Sequence, residues 1–193
     1  MPDRMRYLFD SDVLISSARL HYSQNYCQIF WDWLVAGHEA GLFFSIDKVK
    51  NELVNGLEDN LSKWVQSPKV NNFFQPSLPS LAQWRNLSIM ANDPEKSYKE
   101  SAKNKFLDVE RADAWLIAYA AHSGNFLIVT NEVSRPESKS DIKLPDAASW
   151  LNVKTVKLYD LLHKYAVDNF TLSHNGFGIG DKVAGSDSPN LFL

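Results

Sequence analysis

The chain lacks the features of a secreted or membrane-bound protein. It has one cysteine, Cys27, and no apolar run that approaches the length of a membrane span. A single thiol can form neither an internal disulfide nor a thiolate metal cage. The first residues also lack the apolar stretch of a secretory signal peptide. These absences predict a cytoplasmic protein without a membrane partner.

A strong charge imbalance is also lacking. The formal net charge of the 193 residues is −3, and the pI is about 5.9. Proteins that grip duplex DNA through its phosphates usually carry a basic face, which this balance does not demand. Because an acidic site loaded with divalent ions supplies its own positive charge, nucleic acid stays open as a ligand. A hydrophobic content of 45% predicts a globular domain with a buried core.

Apolar, strand-like segments alternate with helical patterns along the chain. Strands are predicted at 7–9, 42–45, 126–129 and 153–158, and the clearest helical pattern covers 109–122. Such alternation is typical of a parallel sheet that is covered by helices on both faces. We therefore predict an α/β protein with a three-layer α/β/α fold and a central parallel sheet of about five strands.

Glycine, proline and serine mark the expected boundaries. The segment 67–79 contains three prolines and is predicted to be a loop. From residue 171 onward, glycine and serine dilute the hydrophobic residues, which predicts a flexible tail over 171–193 behind a single domain at 1–170.

Acidic and hydroxyl side chains follow two of the predicted strands. Asp10 and Asp12 come after the first strand, and Thr130 and Glu132 follow the strand at 126–129. In open α/β sheets, ligands bind at the carboxyl ends of the strands. A buried carboxylate such as Asp10 is costly unless something compensates its charge. The structural alternative is that Asp10 or Asp12 caps the following helix.

Two further acids lie on helical segments. Glu52 flanks a buried face at the edge between core and solvent, although surface glutamates are common. Asp113 interrupts an alanine-rich apolar helix, where aspartate is a poor helix former. Its alternative role is to complement the helix dipole from the first turn. Glu110, one turn earlier, is expected on the same side of that helix.

A cluster of these acids would need a cation. Neighbouring carboxylates disfavour one another's ionisation. Mg²⁺ and Mn²⁺ are hard ions that prefer carboxylate and water oxygens. An ion held in this way can activate water and stabilise the charge of a phosphoryl transition state.

Taken in order, these motifs resemble those of a PIN domain. Asp10-Ser11-Asp12 is similar to its opening motif, and Glu52 to its second acid. Asp113 followed by alanine resembles the third acid, and Thr130-Asn131-Glu132 resembles its Thr-x-Asp motif, with Glu in place of Asp. The resemblance extends from residue 7 to about 165. The segments 30–34, 51–53 and 142–146 further resemble an uncharacterised bacterial PIN-like branch related to VapC-type toxin ribonucleases.

This resemblance implies an endoribonuclease that depends on Mg²⁺ or Mn²⁺ and hydrolyses RNA phosphodiester bonds. For a toxin, it also implies an inhibitory antitoxin protein and a homodimer. The implied catalytic acids are Asp10, Glu52, Asp113 and Glu132, with Asp10, Asp113 and Glu132 as metal ligands. Supporting roles are expected for Asp12, Glu110, Thr130 and Asp146. Asp146 is either a rival to Glu132 as the fourth acid or only the N-cap of a helix that ends at Trp150.

Two other functions compete with this interpretation. Asp10-Ser11-Asp12 also resembles the nucleophile and acid of haloacid-dehalogenase-like phosphatases, and Val129-Thr130-Asn131 resembles their second motif. Val13 stands where those enzymes have glycine, however, and Glu52 and Asp113 would be unused. The third hypothesis is a PIN-like module with an idle acidic site that binds a partner.

Basic and aromatic residues give weaker signals. Trp115 could stack on bases or lie in an interface, whereas Trp31 and Trp33 are either core or a partner surface. Each candidate for a contact with the RNA backbone has the alternative of being a solvated surface residue. The candidates are Lys48, Lys50, Arg111, Lys139 and Lys143.

Overall fold

A computed structural model describes residues 4–55 and 59–170. The tail predicted at 171–193 lies outside the described residues. Five short strands form one parallel sheet in the order β3-β2-β1-β4-β5. The strands are β1 (Arg6–Phe9), β2 (Phe43–Ile46), β3 (Phe74–Gln75), β4 (Phe126–Val129) and β5 (Thr155–Val156).

Helices cover the sheet, and the predicted α/β/α architecture with a central parallel sheet is confirmed. In the described ranges the α-helices are α1 (Ser11–Ser16), α2 (Gln28–Glu39), α3 (Asp47–Val54), α4 (Asn60–Val65), α5 (Leu81–Ala91), α6 (Glu100–Phe106), α7 (Ala112–Ser123), α8 (Leu144–Trp150) and α9 (Leu158–Tyr165). Across those ranges, none of the helices combines the length and the hydrophobicity needed to cross a bilayer.

The centre of the core is formed by β1 and by the helices that pack on its two neighbours. Leu8 and Phe9 of β1 are fully buried, as expected for a strand covered on both faces. Helix α2 lies so close to β2 that a Cβ atom on Gly37 would stand 2.0 Å from a ring atom of Phe43. Trp31 and Trp33 of α2 are buried, so their interpretation as core residues is confirmed.

Helix α7 is buried almost all round, which is typical of a helix in the centre of a core. Trp115 is only 5% exposed and stacks on Trp84, with ring centroids 5.5 Å apart. The prediction that Trp115 offers a base-stacking surface is therefore wrong, because neighbouring helices already cover its ring.

Two sequence predictions of secondary structure are corrected. The segment 67–79 is not entirely loop, since it contains β3, which pairs with the end of β2. A two-residue edge strand is too short to show an alternating pattern. Helix α7 begins at Ala112 rather than at residue 109, because a turn precedes it in which Arg111 N–H donates to Asp108 O.

Candidate functional site

The chain reverses its direction across the sheet between β1 and β4. It runs from β1 outward to β2 and β3 and then returns to β4 on the other side of β1. In parallel α/β sheets, the crevice at such a switch point is the usual place for a ligand. Phe9 pairs with Val129, so Asp10 and Thr130 leave neighbouring strands at the same level. The sequence thus delivers Asp10 and Thr130 to the position where a ligand site is expected.

Asp10 is a buried carboxyl group, with only 2% of the residue exposed. Its Oδ2 atom accepts a hydrogen bond of 2.8 Å from Thr130 Oγ1. Burial, followed by the charge of Asp113, raises the pKa of Asp10 to about 8 against the opposing hydrogen bond from Thr130. Although Asp10 occupies the N-cap position of α1, its side chain makes no capping hydrogen bond. The alternative that Asp10 is mainly a side-chain cap is therefore wrong.

Asp113 lies in the first turn of α7, and its side chain keeps 22% of its surface exposed. Burial, and then the charges of Glu132 and Glu52, raise the pKa of Asp113 to about 6. The Arg111 guanidinium acts in the opposite direction, with Nη2 3.9 Å from Asp113 Oδ2. The first-turn position also suits a carboxylate because of the helix dipole. The structural and the functional interpretations of Asp113 are thus compatible.

Glu52 connects α3 to the start of α7. Its Oε1 atom accepts a hydrogen bond of 2.9 Å from the backbone N–H of Ala112, the first residue of α7. That N–H has no acceptor within its own helix. Glu52 therefore fixes the beginning of the helix that carries Asp113, and its charge acts on the same carboxyl group.

Glu132 reaches from the end of β4 to the start of α8. Its Oε2 atom accepts a hydrogen bond of 2.9 Å from Leu144 N–H, and its Oε1 atom lies 3.7 Å from Lys143 Nζ. Its backbone N–H donates to Thr130 Oγ1, at 3.2 Å, and its backbone carbonyl accepts from Lys157 Nζ. The Glu132 side chain thus holds the start of α8.

Two of the supporting candidates lie at the rim or outside it. Asp12 is exposed in the first turn of α1. Its charge also raises the pKa of Asp10, but it contributes less than burial and the charge of Asp113. The Glu110 side chain is 76% exposed and pairs with Lys48 at 3.5 Å. Because Glu110 belongs to the turn before α7, the prediction that it lies one helical turn before Asp113 is wrong.

Asp146 is held by the loop that precedes α8. Its carboxylate accepts hydrogen bonds from Ser134 Oγ and, at 2.8 Å, from the backbone N–H of Arg135. The N-cap of α8 is Lys143, so the prediction that Asp146 caps this helix is wrong. Proline is favoured in the first turn of a helix, and Pro145 is accordingly inside α8 rather than before it. Of the two rival acids, Glu132 is the one whose charge acts on Asp10 and Asp113.

Two lysines, Lys105 and Lys143, form ion pairs with the same aspartate, Asp141, and the sequence only partly indicates this arrangement. Lys143 Nζ lies 2.6 Å from Asp141 Oδ2, and Lys105 Nζ lies 3.0 Å from Asp141 Oδ1. Lys143 is a candidate for a phosphate contact, whereas the pairing of Lys105 with Asp141 is not predicted. They are 36 residues apart, and no local pattern predicts that they meet.

The fit of a divalent ion rests on Asp10 and Asp113. The part of the chain that the structure describes holds no group of three or more His, Cys, Asp or Glu side chains that could bind a metal ion. Mg²⁺ keeps several waters and is usually bound through one or two carboxylates. Asp10 and the half-buried Asp113 match that requirement. Burial is the main cause of their raised pKa values, and a bound cation would stabilise the charged form of both carboxylates. The larger set with Glu132 stays a prediction.

Comparison with known protein families gives a match over most of the chain. Residues 7–168 match the model of a family described as "Domain of unknown function (DUF4411)". No curated protein and no solved structure matches the chain. The matched range contains all of the sheet except Arg6, the first residue of β1, and all four predicted catalytic acids.

Proposed function

The chain belongs to the DUF4411 family, and we propose that it is a metal-dependent endoribonuclease that hydrolyses phosphodiester bonds in RNA. The proposal is carried by Asp10 and Asp113, two carboxyl groups with raised pKa values at the switch point of the sheet. Perturbed carboxyl groups of this kind are typical of functional sites.

Each residue of the site has a separate task in this proposal. Asp10 and Asp113 would hold Mg²⁺ or Mn²⁺. When bound, such an ion activates water and stabilises the charge at phosphorus. Thr130 orients the Oδ2 atom of Asp10, and Glu52 sets the start of the helix that carries Asp113. Glu132 adds negative charge beside both carboxyl groups and positions α8.

The choice of RNA rests on the resemblance to PIN domains and on the cations at the rim. Arg111 Nη2 lies 3.9 Å from Asp113 Oδ2, and Lys143 Nζ lies 3.7 Å from Glu132 Oε1. In this arrangement they can also meet the phosphates of a strand that enters the site. The resemblance to VapC-type toxins further supports a role as the toxin of a toxin–antitoxin pair in the cytoplasm. An antitoxin protein and a second copy of this chain are the proposed protein partners.

The test is RNA cleavage by the purified chain with Mn²⁺, Mg²⁺ or EDTA. Asp10→Asn and Asp113→Asn should each lower the rate by at least about 100-fold, since each removes a charged oxygen donor from the proposed ion. Asp32→Asn, an exposed aspartate of α2, is the matched control and should cleave like the wild type. A labelled oligonucleotide would show the cleavage position, and the release of phosphate from a phosphomonoester would be measured in parallel.

The outcomes separate the three hypotheses. Metal-dependent cleavage that both site variants lose supports the ribonuclease. Phosphatase activity that Asp10→Asn loses and Asp113→Asn retains would replace it with the haloacid-dehalogenase-like enzyme. If a folded, metal-loaded protein is inactive in both assays, the ribonuclease proposal fails and the idle binding module takes its place.

A further inference from the structure

A cleft separate from the acidic site lies beside α8. It has a volume of about 220 Å³, and its lining includes Lys96, Tyr98, Lys139 and Trp150. None of these residues belongs to the acidic cluster, and Tyr98 and Trp150 were not singled out by their sequence context. The cleft therefore calls for an explanation of its own.

The cleft combines two ammonium groups with two aromatic rings. Lys96 Nζ lies 4.6 Å from the ring centroid of Trp150, and Lys139 Nζ lies 5.4 Å from that of Tyr98. The two ring centroids are 6.1 Å apart. Among residues 4–55 and 59–170, neither lysine forms an ion pair with a carboxylate. Aromatic rings beside cations are the combination with which proteins bind single-stranded nucleic acid.

The backbone holds these groups in place. Lys139 Nζ donates to the carbonyl of Lys96 at 2.9 Å, and the backbone N–H of Lys99 donates to the carbonyl of Lys139 at 2.8 Å. Ser97, between Lys96 and Tyr98, has a φ of 56°, which is uncommon for a residue other than glycine. The segment 96–99 is therefore fastened to the loop that leaves β4, and both parts contribute side chains to one cleft.

One carboxylate, that of Asp146, also lines the cleft. Its oxygens accept hydrogen bonds from Ser134 Oγ and Arg135 N–H. Asp146 thus serves to shape the loop, and the two lysines exceed its single negative charge. On balance, the local charge favours an anionic ligand.

Helix α8 connects the acidic site with the cleft. The backbone N–H of its first residue, Leu144, donates a hydrogen bond to the Glu132 side chain, and its last residue, Trp150, lines the cleft. Seven helical residues span about 10 Å. A single strand that passes the acidic site can therefore reach the cleft within a short length.

We propose that this cleft binds a nucleotide of single-stranded RNA that flanks the bond at the acidic site. The base stacks against Tyr98 and Trp150, and the adjoining phosphates contact Lys96 and Lys139. The assignment of a scissile bond rests on the proposed ribonuclease function, whereas the binding of the strand can be measured without any cleavage.

The test is the affinity of the full chain for a fluorescently labelled single-stranded RNA, measured by anisotropy in EDTA. The Lys96→Gln/Lys139→Gln double variant should bind at least about tenfold more weakly at low salt. The slope of log affinity against log salt should fall by about 0.7 for each lost phosphate contact. The Lys96→Arg/Lys139→Arg double variant keeps both charges and should retain most of the affinity. Lys63→Gln/Lys69→Gln removes two exposed lysines outside the cleft and is the matched control.

Stacking is tested at Tyr98. Tyr98→Leu should weaken binding at least about fivefold, because stacking on an aromatic ring is lost, whereas Tyr98→Phe keeps the ring and should bind like the wild type. Thermal unfolding of each variant shows whether the fold is intact. A free mononucleotide is the second arm, and it should compete far less well than the strand if the cleft belongs to a longer RNA path.

Several results would overturn the cleft proposal. One is a wild-type chain that does not bind single-stranded RNA, and another is a glutamine double variant with unchanged affinity and salt dependence. Equal competition by the free mononucleotide would instead assign the cleft to a small nucleotide ligand. If the wild type binds RNA through the cleft but never cleaves it, the ribonuclease proposal fails and the cleft proposal stands. If cleavage occurs and the cleft variants bind normally, only the cleft proposal fails.

Discussion

Asp10 illustrates how a single buried carboxyl group links stability to function. Its position after β1 removes it from water, and its hydrogen bond from Thr130 offsets only part of that loss. Within the described ranges it has no cationic partner at ion-pair distance. The folded protein therefore binds a proton at Asp10 that the unfolded chain releases near pH 4, and the two states differ in proton uptake over several pH units.

The sign of the pH dependence follows from the raised pKa of Asp10, about 8 in the folded protein and near 3.8 when unfolded. Between these values the native state holds more protons, so the contribution of this group to the free energy of unfolding falls as the pH rises from about 4 to about 8. Asp10→Asn retains an acceptor for Thr130 but carries no charge. In EDTA, we expect it to be more stable than the wild type at pH 8 by about 2 kcal/mol, with a much smaller difference at pH 4.

Urea unfolding at both pH values measures this effect. Asp32→Asn, at an exposed position of α2, is the control and should change stability by less than about 0.5 kcal/mol. Adding Mg²⁺ should stabilise the wild type and leave Asp10→Asn nearly unchanged, because a ligand stabilises the state that binds it. If the wild type and Asp10→Asn had the same free energy of unfolding at pH 8, the charge of Asp10 would not be costly to bury, and this prediction would be contradicted.

At the scale of elements, the acidic site is the meeting point of three helix beginnings. Helix α1 follows Asp10. The first backbone N–H of α7 donates a hydrogen bond to Glu52, and the first backbone N–H of α8 donates a hydrogen bond to Glu132. The first backbone N–H groups of a helix have no acceptor within the helix. Carboxylates from other elements satisfy two of them here, so the acids organise the secondary structure around the site as well as its charge.

Glu52 allows these two roles to be separated. Glu52→Ala removes the acceptor of Ala112 N–H and should lower the free energy of unfolding by about 1 kcal/mol. Glu52→Gln keeps a carbonyl oxygen for that bond and should cost less than about 0.5 kcal/mol. Chemical denaturation measures both variants.

If Glu52 acts through its charge, RNA cleavage should fall in Glu52→Gln as strongly as in Glu52→Ala. Full activity in the glutamine variant, together with an unstable alanine variant, would limit Glu52 to the start of α7. This result would remove one of the four predicted catalytic acids.

At the scale of the whole molecule, side chains of the central strand, β1, contact α9, the last helix that the structure describes. Tyr7 of β1 and Tyr165 of α9 share a hydrogen bond of 3.1 Å between their hydroxyl oxygens, across 158 residues of sequence. Lys164 Nζ also donates to Tyr7 Oη, at 3.2 Å. The rings of Tyr7 and Tyr165 pack edge to face. This contact lies at the amino end of β1, opposite the edge that carries Asp10.

A double-mutant cycle tests that contact. Tyr7→Phe and Tyr165→Phe should each destabilise the fold by about 1 kcal/mol, and the double variant by less than the sum, with a coupling of about 0.5–1 kcal/mol. Both variants keep the ring packing, so only the hydroxyl contact is measured. Because the site lies at the other edge of the sheet, RNA cleavage should be unchanged. Strict additivity of the two changes would show that the hydroxyl groups are independent.

Local sequence patterns predicted the fold class because its main signals are local. The apolar runs at 7–9 and 126–129 became β1 and β4, and the order of strands and helices indicated a parallel sheet. Short or irregular elements were harder to predict from the sequence. β3 has two residues and no periodicity, and the start of α7 depends on a turn and on a carboxylate 60 residues earlier.

By itself, the sequence determined an α/β fold, an acid after the first strand and a Thr-Asn-Glu segment after the strand at 126–129. Tertiary structure alone decided which side chains share a charge environment. It placed the Glu132 carboxylate at the start of α8 with its charge acting on Asp10 and Asp113, hydrogen-bonded Asp146 to the loop before α8, and left Glu110 at the surface. It also joined the segment around Tyr98 to Trp150. The reason is physical: hydrogen bonding, burial and electrostatic repulsion depend on distances in space, which a one-dimensional pattern does not contain.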